Sequence, residues 1–247
     1  MSVLSVKNLR KEYKTGWPRR ETIVAVNDLN ITIEPGEIYG FLGPNGAGKT
    51  TTIMSILGFI TPTSGEISVL GESPGEWRTR EKMGFLPDNP LLYPFLTGYN
   101  ALYVVGRLFS MTHRQTVKRI IELADELGMD RELRLQIRKH SRGMRQRIGL
   151  AQALFNNPDL LIMDEPMSGL DPKGRKMLRE VITRRREAGK TVFFSSHILS
   201  DIEMICDRVG IINFGAMVHE DSMESTMKSY PGRNLEDIFM EKVGAAE

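Results

Sequence analysis

The sequence has little cysteine and no long apolar run. Its single cysteine, Cys206, excludes a fold held together by disulfides. Cys206 lies in the apolar-spaced stretch DIEMICDRV, which favours a buried structural thiol over a reactive one. No apolar run approaches the roughly 18 residues of a membrane-spanning helix, and Met1-Ser2-Val3 begins no signal peptide. These absences predict a soluble intracellular chain, linked to a membrane only through a partner.

The chain also lacks an excess of charge of either sign. Its 33 basic and 31 acidic residues leave a net charge of +2, so the sequence predicts no nucleic-acid partner. It has no internal repeat and no low-complexity linker. A length of 247 residues allows one large domain, or a domain with an inserted lobe.

Strand patterns alternate with helix patterns along the chain. Strands are predicted at 3–9, 23–29, 30–34, 38–42, 66–70, 83–86, 160–163, 192–194, 209–213 and 216–219. The last two flank Phe214-Gly215 as a hairpin, and a helix is predicted from Asp171-Pro172 to near Gly189. A helical pattern runs from Thr97 to about Phe155 and interrupts this order. The sequence therefore predicts an α/β fold with an inserted helical lobe.

The stretch GPNGAGKT lies between a predicted strand and a predicted helix and fits the pattern G-x-x-x-x-G-K-[ST]. In that setting the backbone N–H groups cradle phosphates, Lys49 reaches the β- and γ-phosphates, and Thr50 offers a hydroxyl to Mg²⁺. An accidental match would occur in about one chain in a hundred of this length, and the strand–loop–helix setting makes it rarer. The predicted ATP-binding residues are Gly43, Pro44, Asn45, Gly46, Ala47, Gly48, Lys49, Thr50 and Thr51.

The stretch LLIMDEP predicts a buried strand that carries Asp164 and Glu165 at its carboxyl end, where ligands bind in open α/β sheets. Asp164 suits a direct or water-mediated contact with Mg²⁺, and Glu165 suits the general base that polarises the attacking water. Taken alone, the two carboxylates would more simply cap the next turn. Beside a phosphate loop, the catalytic interpretation is favoured.

The stretch HSRGMRQRIGL predicts the start of a helix, with Ser141 as its capping residue. Its first turns contain arginines and no acidic residue, although a helix N-terminus favours negative charge. Ser141 and Gly143 therefore suit an anion that comes from outside the helix.

Five motifs in this order, GPNGAGKT, HSRGM, LLIMDEP, SGLD and SSH, resemble the ATP-binding subunit of an ABC transporter. The resemblance implies a P-loop NTPase core with a parallel sheet, an N-terminal antiparallel β subdomain and an inserted α-helical subdomain. It divides the chain into an ATP-binding core at 1–88 and 156–220, a helical signature lobe at about 89–155, and a short C-terminal extension at 221–247.

The resemblance also implies a head-to-tail dimer with ATP between the phosphate loop of one subunit and the signature helix of the other. Ser141 and Gly143 would then contact the γ-phosphate held by the partner, and Asp171 would link the two sites. By the same resemblance, His197 contacts the γ-phosphate and holds the attacking water, and Tyr13 stacks on adenine. The nearby loop KTGWPRRE, which contains Trp17, is interpreted as a solvated hairpin tip.

Three positions depart from the common family pattern. Asp88 stands where the family usually has a glutamine that contacts Mg²⁺, so the predicted metal-site residues are Thr50, Asp164 and Asp88. We expect Asp88 to serve the same coupling loop with an altered metal contact. Arg142 and Met144 replace the usual glycine and glutamine of the signature, while Ser141 and Gly143 are retained.

The resemblance implies an ATPase on the inner face of the cell membrane, joined to a transmembrane permease subunit and to a second ATPase subunit. A homodimer is permitted because every motif is present in one chain. The form SRGMRQR, Asp88 and the ending NLEDIFMEKVG resemble ABC-2-type exporters and favour export over import. Two other classes are an ABC ATPase acting on DNA or ribosomes and a non-hydrolysing module. The single phosphate loop and the lack of heptads argue against the first, and the retained Lys49, Asp164, Glu165 and His197 argue against the second.

Overall fold

The computed structural model describes residues 2–16 and 21–244. The strands are β1 (Leu4–Thr15), β2 (Glu21–Ile33), β3 (Ile38–Leu42), β4 (Ser64–Val69), β5 (Met83–Leu86), β6 (Leu160–Met163), β7 (Thr191–Ser196), β8 (Arg208–Asn213) and β9 (Ala216–Ser222). The helices are α1 (Lys49–Ile56), α2 (Trp77–Glu81), α3 (Gly98–Leu108), α4 (His113–Leu127), α5 (Asp130–Arg134), α6 (Arg142–Ala153), α7 (Pro172–Glu187), α8 (Leu199–Ile205), α9 (Met223–Ser229) and α10 (Leu235–Gly244). Among these helices, none is long and apolar enough to cross a bilayer.

A six-stranded sheet in the order β5-β6-β7-β3-β8-β9 forms the centre of the fold. Its first five strands are parallel, and β9 runs antiparallel to β8. Successive residues of β3 point to opposite faces, so Tyr39 and Phe41 join one buried cluster while Ile38 and Leu42 join the other. A parallel sheet covered on both faces confirms the predicted α/β class.

A second sheet, in the order β2-β1-β4, is antiparallel and lies near the N-terminus, as expected. The prediction of separate strands at 23–29 and 30–34 is wrong, because β2 runs unbroken through both. Asn8 in β1 and Asp28 in β2 adopt positive φ values of 49° and 51°, and the pairing register shifts between Val6 and Leu9 and again between Leu9 and Lys11. Asparagine and aspartate tolerate this left-handed conformation, so each of them marks a bulge in its own strand and β2 stays continuous.

The helices α3 to α6 lie between β5 and β6, where the sequence predicts an inserted helical segment. The expectation of helix throughout from Thr97 to Phe155 is wrong between α5 and α6. There the chain is extended apart from a short 3₁₀ turn at Ile137–Lys139. The Ile137 N–H donates to the carbonyl of Leu96 at 2.8 Å, and Thr97 bridges to Gln136. These long-range hydrogen bonds replace helical ones, and the local pattern does not encode them.

In the C-terminal half of the chain, the observed elements match those predicted from the sequence. The helix after Asp171 is α7, and the predicted hairpin is β8–β9. Cys206 is buried as expected, and burial raises the pKa of its thiol well above the usual value. Leu235 and Ile238 are also buried, so α10 packs on the rest of the chain.

Candidate functional site

A glycine-rich loop, Gly43–Gly48, joins the carboxyl end of β3 to the start of α1. Gly48 has a φ of +107°, and a Cβ there would lie 2.4 Å from the carbonyl oxygen of Ala25. A Cβ on Gly43 would lie 2.5 Å from the carbonyl oxygen of Ile212. Both positions therefore require glycine, and the loop ends at the N-terminus of α1, where backbone N–H groups can bind an anion.

Next to this loop lies an open cavity of about 530 Å³. Its lining residues are Ala25, Asn45, Gly46, Ala47, Gly48, Lys49, Thr50, Thr51, Pro87, Asp88, Asn89, Asp164 and Glu165. The structure thus brings together most of the phosphate-loop residues, the two strand-end carboxylates and Asp88. Gly43 and Pro44 are not among these lining residues, and their carbonyl oxygens accept hydrogen bonds from Lys49.

Lys49 is folded against its own loop. Its Nζ donates to the carbonyl oxygens of Gly43 at 2.7 Å and Pro44 at 3.2 Å. The same Nζ lies 3.7 Å from Oε1 of Glu165. Because the side chain is buried, these oxygens offset the desolvation of the ammonium group. A phosphate in the cavity would offer the ammonium stronger acceptors.

Asp164 and Thr50 meet at one wall of the cavity. The Thr50 hydroxyl donates to Oδ2 of Asp164 at 2.9 Å, which places two hard oxygen donors side by side. Among the described residues no group of three His, Cys, Asp or Glu side chains could hold a metal ion. This sparse oxygen set fits Mg²⁺, which is usually bound by one or two carboxylates together with substrate phosphates and water.

Glu165 has a strained backbone and a histidine partner. Its φ of 50° is unusual for a residue with a side chain, and such strain is frequent at functional sites. Its Oε2 lies 2.6 Å from Nδ1 of His197 and accepts from the His197 backbone N–H at 3.2 Å. Glu165 is mostly buried while His197 is half exposed, so the carboxylate is fixed at the cavity edge with one oxygen toward Lys49.

Ser195 is a site residue that the sequence reasoning missed. Its hydroxyl, fully buried at the end of β7, donates to Oδ1 of Asp164 at 2.6 Å and accepts from the N–H of Glu165 at 3.0 Å. One side chain therefore fixes both strand-end carboxylate residues. The motif SSH contained the signal, because a serine two residues before His197 on the neighbouring strand lies beside Asp164.

We expect Ser195→Ala to lower the rate of ATP hydrolysis about tenfold or more while ATP affinity changes little, since it removes a group that orients a ligand-binding carboxylate. It should also reduce the free energy of unfolding by about 1–3 kcal/mol, because two buried polar groups lose their partner. Steady-state kinetics, ATP titration and chemical denaturation measure the three quantities. Ser196→Ala, at the neighbouring buried position, is the matched control, and an equal loss of hydrolysis there would contradict a specific role for Ser195.

The signature residues lie at helix N-termini outside this cavity. Ser141 caps α6 by accepting from the N–H of Met144 at 3.3 Å, which confirms the predicted cap. Asp171 caps α7 in the same way, through the N–H of Gly174 at 2.8 Å. Within the described part of the chain, Ser141, Gly143 and Asp171 are absent from the cavity lining. The structure therefore does not bring these residues to the phosphate loop of their own chain.

Two further predicted residues have different placements. Tyr13 lies on β1 opposite Ile23, and it is not one of the described residues that line the cavity. The Trp17 part of the loop KTGWPRRE lies outside the described residues. Asp88 lines the cavity, and its Oδ1 accepts from Nη2 of Arg142 at 3.3 Å.

Comparison with known proteins identifies the family. The family model described as ABC transporter matches residues 26–168. An uncharacterized ABC transporter ATP-binding protein of Nostoc sp. strain PCC 7120 is 43% identical over 92% of this chain and 69% of its own length. The bacitracin transport ATP-binding protein of Bacillus licheniformis is 39% identical over 86% of this chain and 71% of its own length.

The fold comparison agrees with the sequence comparison. A dimeric ATP-binding cassette in a post-hydrolysis state, bound to ADP and Pi, has a TM-score of 0.81 and 26% identity over 89% of this chain and 98% of its own. This likeness confirms the P-loop NTPase core. The curated relatives extend beyond the matched region, which spans about two thirds of their length. The chain belongs to the ABC transporter family, and it is an ATP-binding ATPase of that family.

Proposed function

We propose that this ATPase powers transport across a membrane through a separate transmembrane permease, and that ATP is hydrolysed between two copies of the chain arranged head to tail. In this arrangement the phosphate loop of one copy faces the N-terminus of α6 in the other. Ser141 and Gly143 then donate to the γ-phosphate in trans, and Asp171 links the two sites. The cassette bound to ADP and Pi is dimeric, which supports a paired state.

The observation that carries the dimer proposal is the glycine at position 143. A Cβ there would meet only Leu170 Cδ2, at an ordinary 3.8 Å, and the φ is not positive. Neither packing nor backbone conformation within the chain therefore requires glycine. Glycine inside a helix costs about 0.5–1 kcal/mol relative to alanine. A requirement for close approach from outside the chain accounts for it, and the absence of acidic residues in the first turn of α6 suits an incoming phosphate.

The proposed chemistry is in-line attack of water on the γ-phosphorus, which breaks its bond to the β–γ bridging oxygen and releases ADP and phosphate. Glu165 accepts the proton of the attacking water, and His197, held by that carboxylate, orients the water and the γ-phosphate. Lys49 exchanges its loop carbonyls for phosphate oxygens and stabilises the charge that develops there. The donors at Ser141 and Gly143 of the partner act from the opposite side, in an interface from which water is excluded.

Thr50 and Asp164 would hold Mg²⁺, which supplies charge neutralisation at the β- and γ-phosphates when it is bound. Asp88 is proposed as an additional, altered contact to this ion. If Asp88→Ala changed neither the Mg²⁺ dependence of hydrolysis nor its stimulation by the permease, this role of Asp88 would be excluded.

Tyr13 is proposed to stack on adenine, since β1 passes close to Ala25 at the cavity rim.

The remaining proposals concern the division of the chain into subdomains and its contact with the permease. Residues 1–88 and 156–220 form the ATP-binding core, about 89–155 the signature lobe, and 221–247 a short C-terminal extension. The lobe and the Asp88–Leu96 loop dock the permease, so the chain is peripheral on the inner face of the cell membrane. Leu91, Tyr93 and Phe95 of this loop are strongly exposed apolar side chains, which suits a docking surface. The proposed direction is export, because SRGMRQR and the ending NLEDIFMEKVG resemble ABC-2-type exporters. The bacitracin transport relative supports a transport function.

Membrane fractionation of the chain expressed in its own host tests the transport function. We expect it to co-purify with one polytopic membrane protein and to hydrolyse ATP faster in that complex than alone. Substitution of Tyr93 by serine should weaken this association, whereas Phe214→Ser, at another exposed aromatic, should not. Recovery with nucleic acid or ribosomes in place of a membrane protein would overturn the proposal in favour of a non-transport ATPase.

A further inference from the structure

Arg142, the first residue of α6, contacts two other segments of its own chain. Its Nη2 lies 3.3 Å from Oδ1 of Asp88 and 3.2 Å from the hydroxyl oxygen of Ser168. Its guanidinium also lies against Gly169, where an added Cβ would be 2.6 Å from Nε. Gly169 has a φ of +69°, so the turn after β6 both requires glycine and leaves room for the arginine.

These contacts place Arg142 behind one wall of the ATP cavity. Asp88 lines that cavity, together with Asp164 and Glu165. Three carboxylates around one cavity would repel a highly anionic nucleotide. Asp164 contacts the hydroxyls of Thr50 and Ser195, and Glu165 lies near the ammonium of Lys49. Asp88 is not part of these contacts. The guanidinium of Arg142 is its partner instead.

The pair contributes little to the stability of the fold. The side chain of Arg142 is 54% exposed and that of Asp88 is 51% exposed, and exposed ion pairs contribute little. The placement of charge beside the cavity is therefore the more consequential effect of the contact.

We propose that Arg142 is a positioning residue for nucleotide binding in its own chain. It compensates the charge of Asp88 beside the incoming phosphates, and it ties the start of α6 to the cavity wall and to the turn at Ser168. The inference deepens the proposed function and rests on it, because it concerns the same ATP site. It also gives position 142 a role in cis, while its neighbours Ser141 and Gly143 act on the partner's nucleotide.

A suppressor experiment tests this role. ATP affinity is measured without Mg²⁺ for the wild type, Arg142→Gln, Asp88→Asn and the double variant, at about 50 mM and 500 mM salt. We expect Arg142→Gln to weaken ATP binding about fivefold at low salt, because an uncompensated carboxylate then faces the phosphates. Adding Asp88→Asn should restore the affinity to within about twofold of the wild type, and high salt should reduce the defect of the single variant. A fold that is simply damaged would not regain affinity by a second substitution.

Lys139→Gln is the matched control, since it removes one positive charge from an exposed position three residues before Arg142. It should leave ATP affinity unchanged. If Arg142→Gln weakened binding equally with and without Asp88→Asn, the arginine would act directly on a phosphate, as it would across a dimer interface, and the inference would be overturned. An unchanged affinity in Arg142→Gln would overturn it too. Failure of the wild type to hydrolyse ATP or to pair would instead count against the proposed function, whatever the suppressor does.

Discussion

Glu165→Gln is expected to bind ATP normally, to lose ATP hydrolysis by a factor of about 10²–10⁴, and to double in mass only when ATP is present. The amide keeps the size of the carboxylate and introduces no new backbone strain at the φ of 50°. It cannot accept the proton of the attacking water, however, and its Oε2 counterpart can no longer form a charged contact with His197 Nδ1. The variant should therefore accumulate as a dimer with ATP bound.

Light scattering of purified Glu165→Gln, with and without ATP and Mg²⁺, measures the mass, and phosphate release measures hydrolysis. Glu180→Gln, at an exposed position on α7, is the control and should behave as the wild type. If Glu165→Gln bound ATP and stayed monomeric at high concentration, the helix at Ser141 would face a different ATPase subunit, or the pair would form only on the permease. Hydrolysis near the wild-type rate would remove Glu165 from the role of base.

Gly143→Ala should have opposite effects on stability and on function. The free energy of unfolding of the single chain should rise by about 0.5–1 kcal/mol, because alanine is the better helix former and its Cβ meets nothing closer than 3.8 Å. ATP-dependent pairing and hydrolysis should fall by tenfold or more, since the added methyl group would separate the helix N–H groups from the partner's phosphate. ATP binding to the single chain should be unaffected.

Chemical denaturation, ATP titration at low protein concentration and light scattering measure these three effects. Gly149→Ala, six residues further along the same helix, is the matched control. There a Cβ would lie 2.5 Å from Pro90 Cγ, so the same substitution should destabilise the chain. A Gly143→Ala variant that kept full ATP-dependent pairing would contradict a close phosphate contact at this helix.

The catalytic centre could be predicted from the sequence because its parts are contiguous motifs. The spacing from Gly43 to Thr50 and the pair Asp164–Glu165 each encode a strand end and the groups that follow it, and parallel strands bring their carboxyl ends to one edge. The predicted cap at Ser141 was confirmed for the same reason: a cap depends on residues three apart.

The contacts that tune this centre could not be predicted, because they join residues that are distant in sequence. Ser195 bonds to Asp164 across two neighbouring strands, and Arg142 reaches Asp88 across 54 residues. Neither pairing has a local periodicity. The bulge in β2 is a case in which a local signal was misleading. Asp28 is typical of a turn and predicted a break, yet pairing with β1 keeps the strand continuous.

The groups that bind and hydrolyse ATP follow β3, β6 and β7, which have neighbouring strands on both sides in the six-stranded sheet. Every residue of these three strands is buried, and the most protected elements of a domain open only when the whole domain unfolds. The strands that carry the loops of the nucleotide site are therefore expected to persist until the domain unfolds as a whole. Mass action then makes ATP a stabiliser of the entire fold, by about 2.7 kcal/mol at a hundred times its dissociation constant.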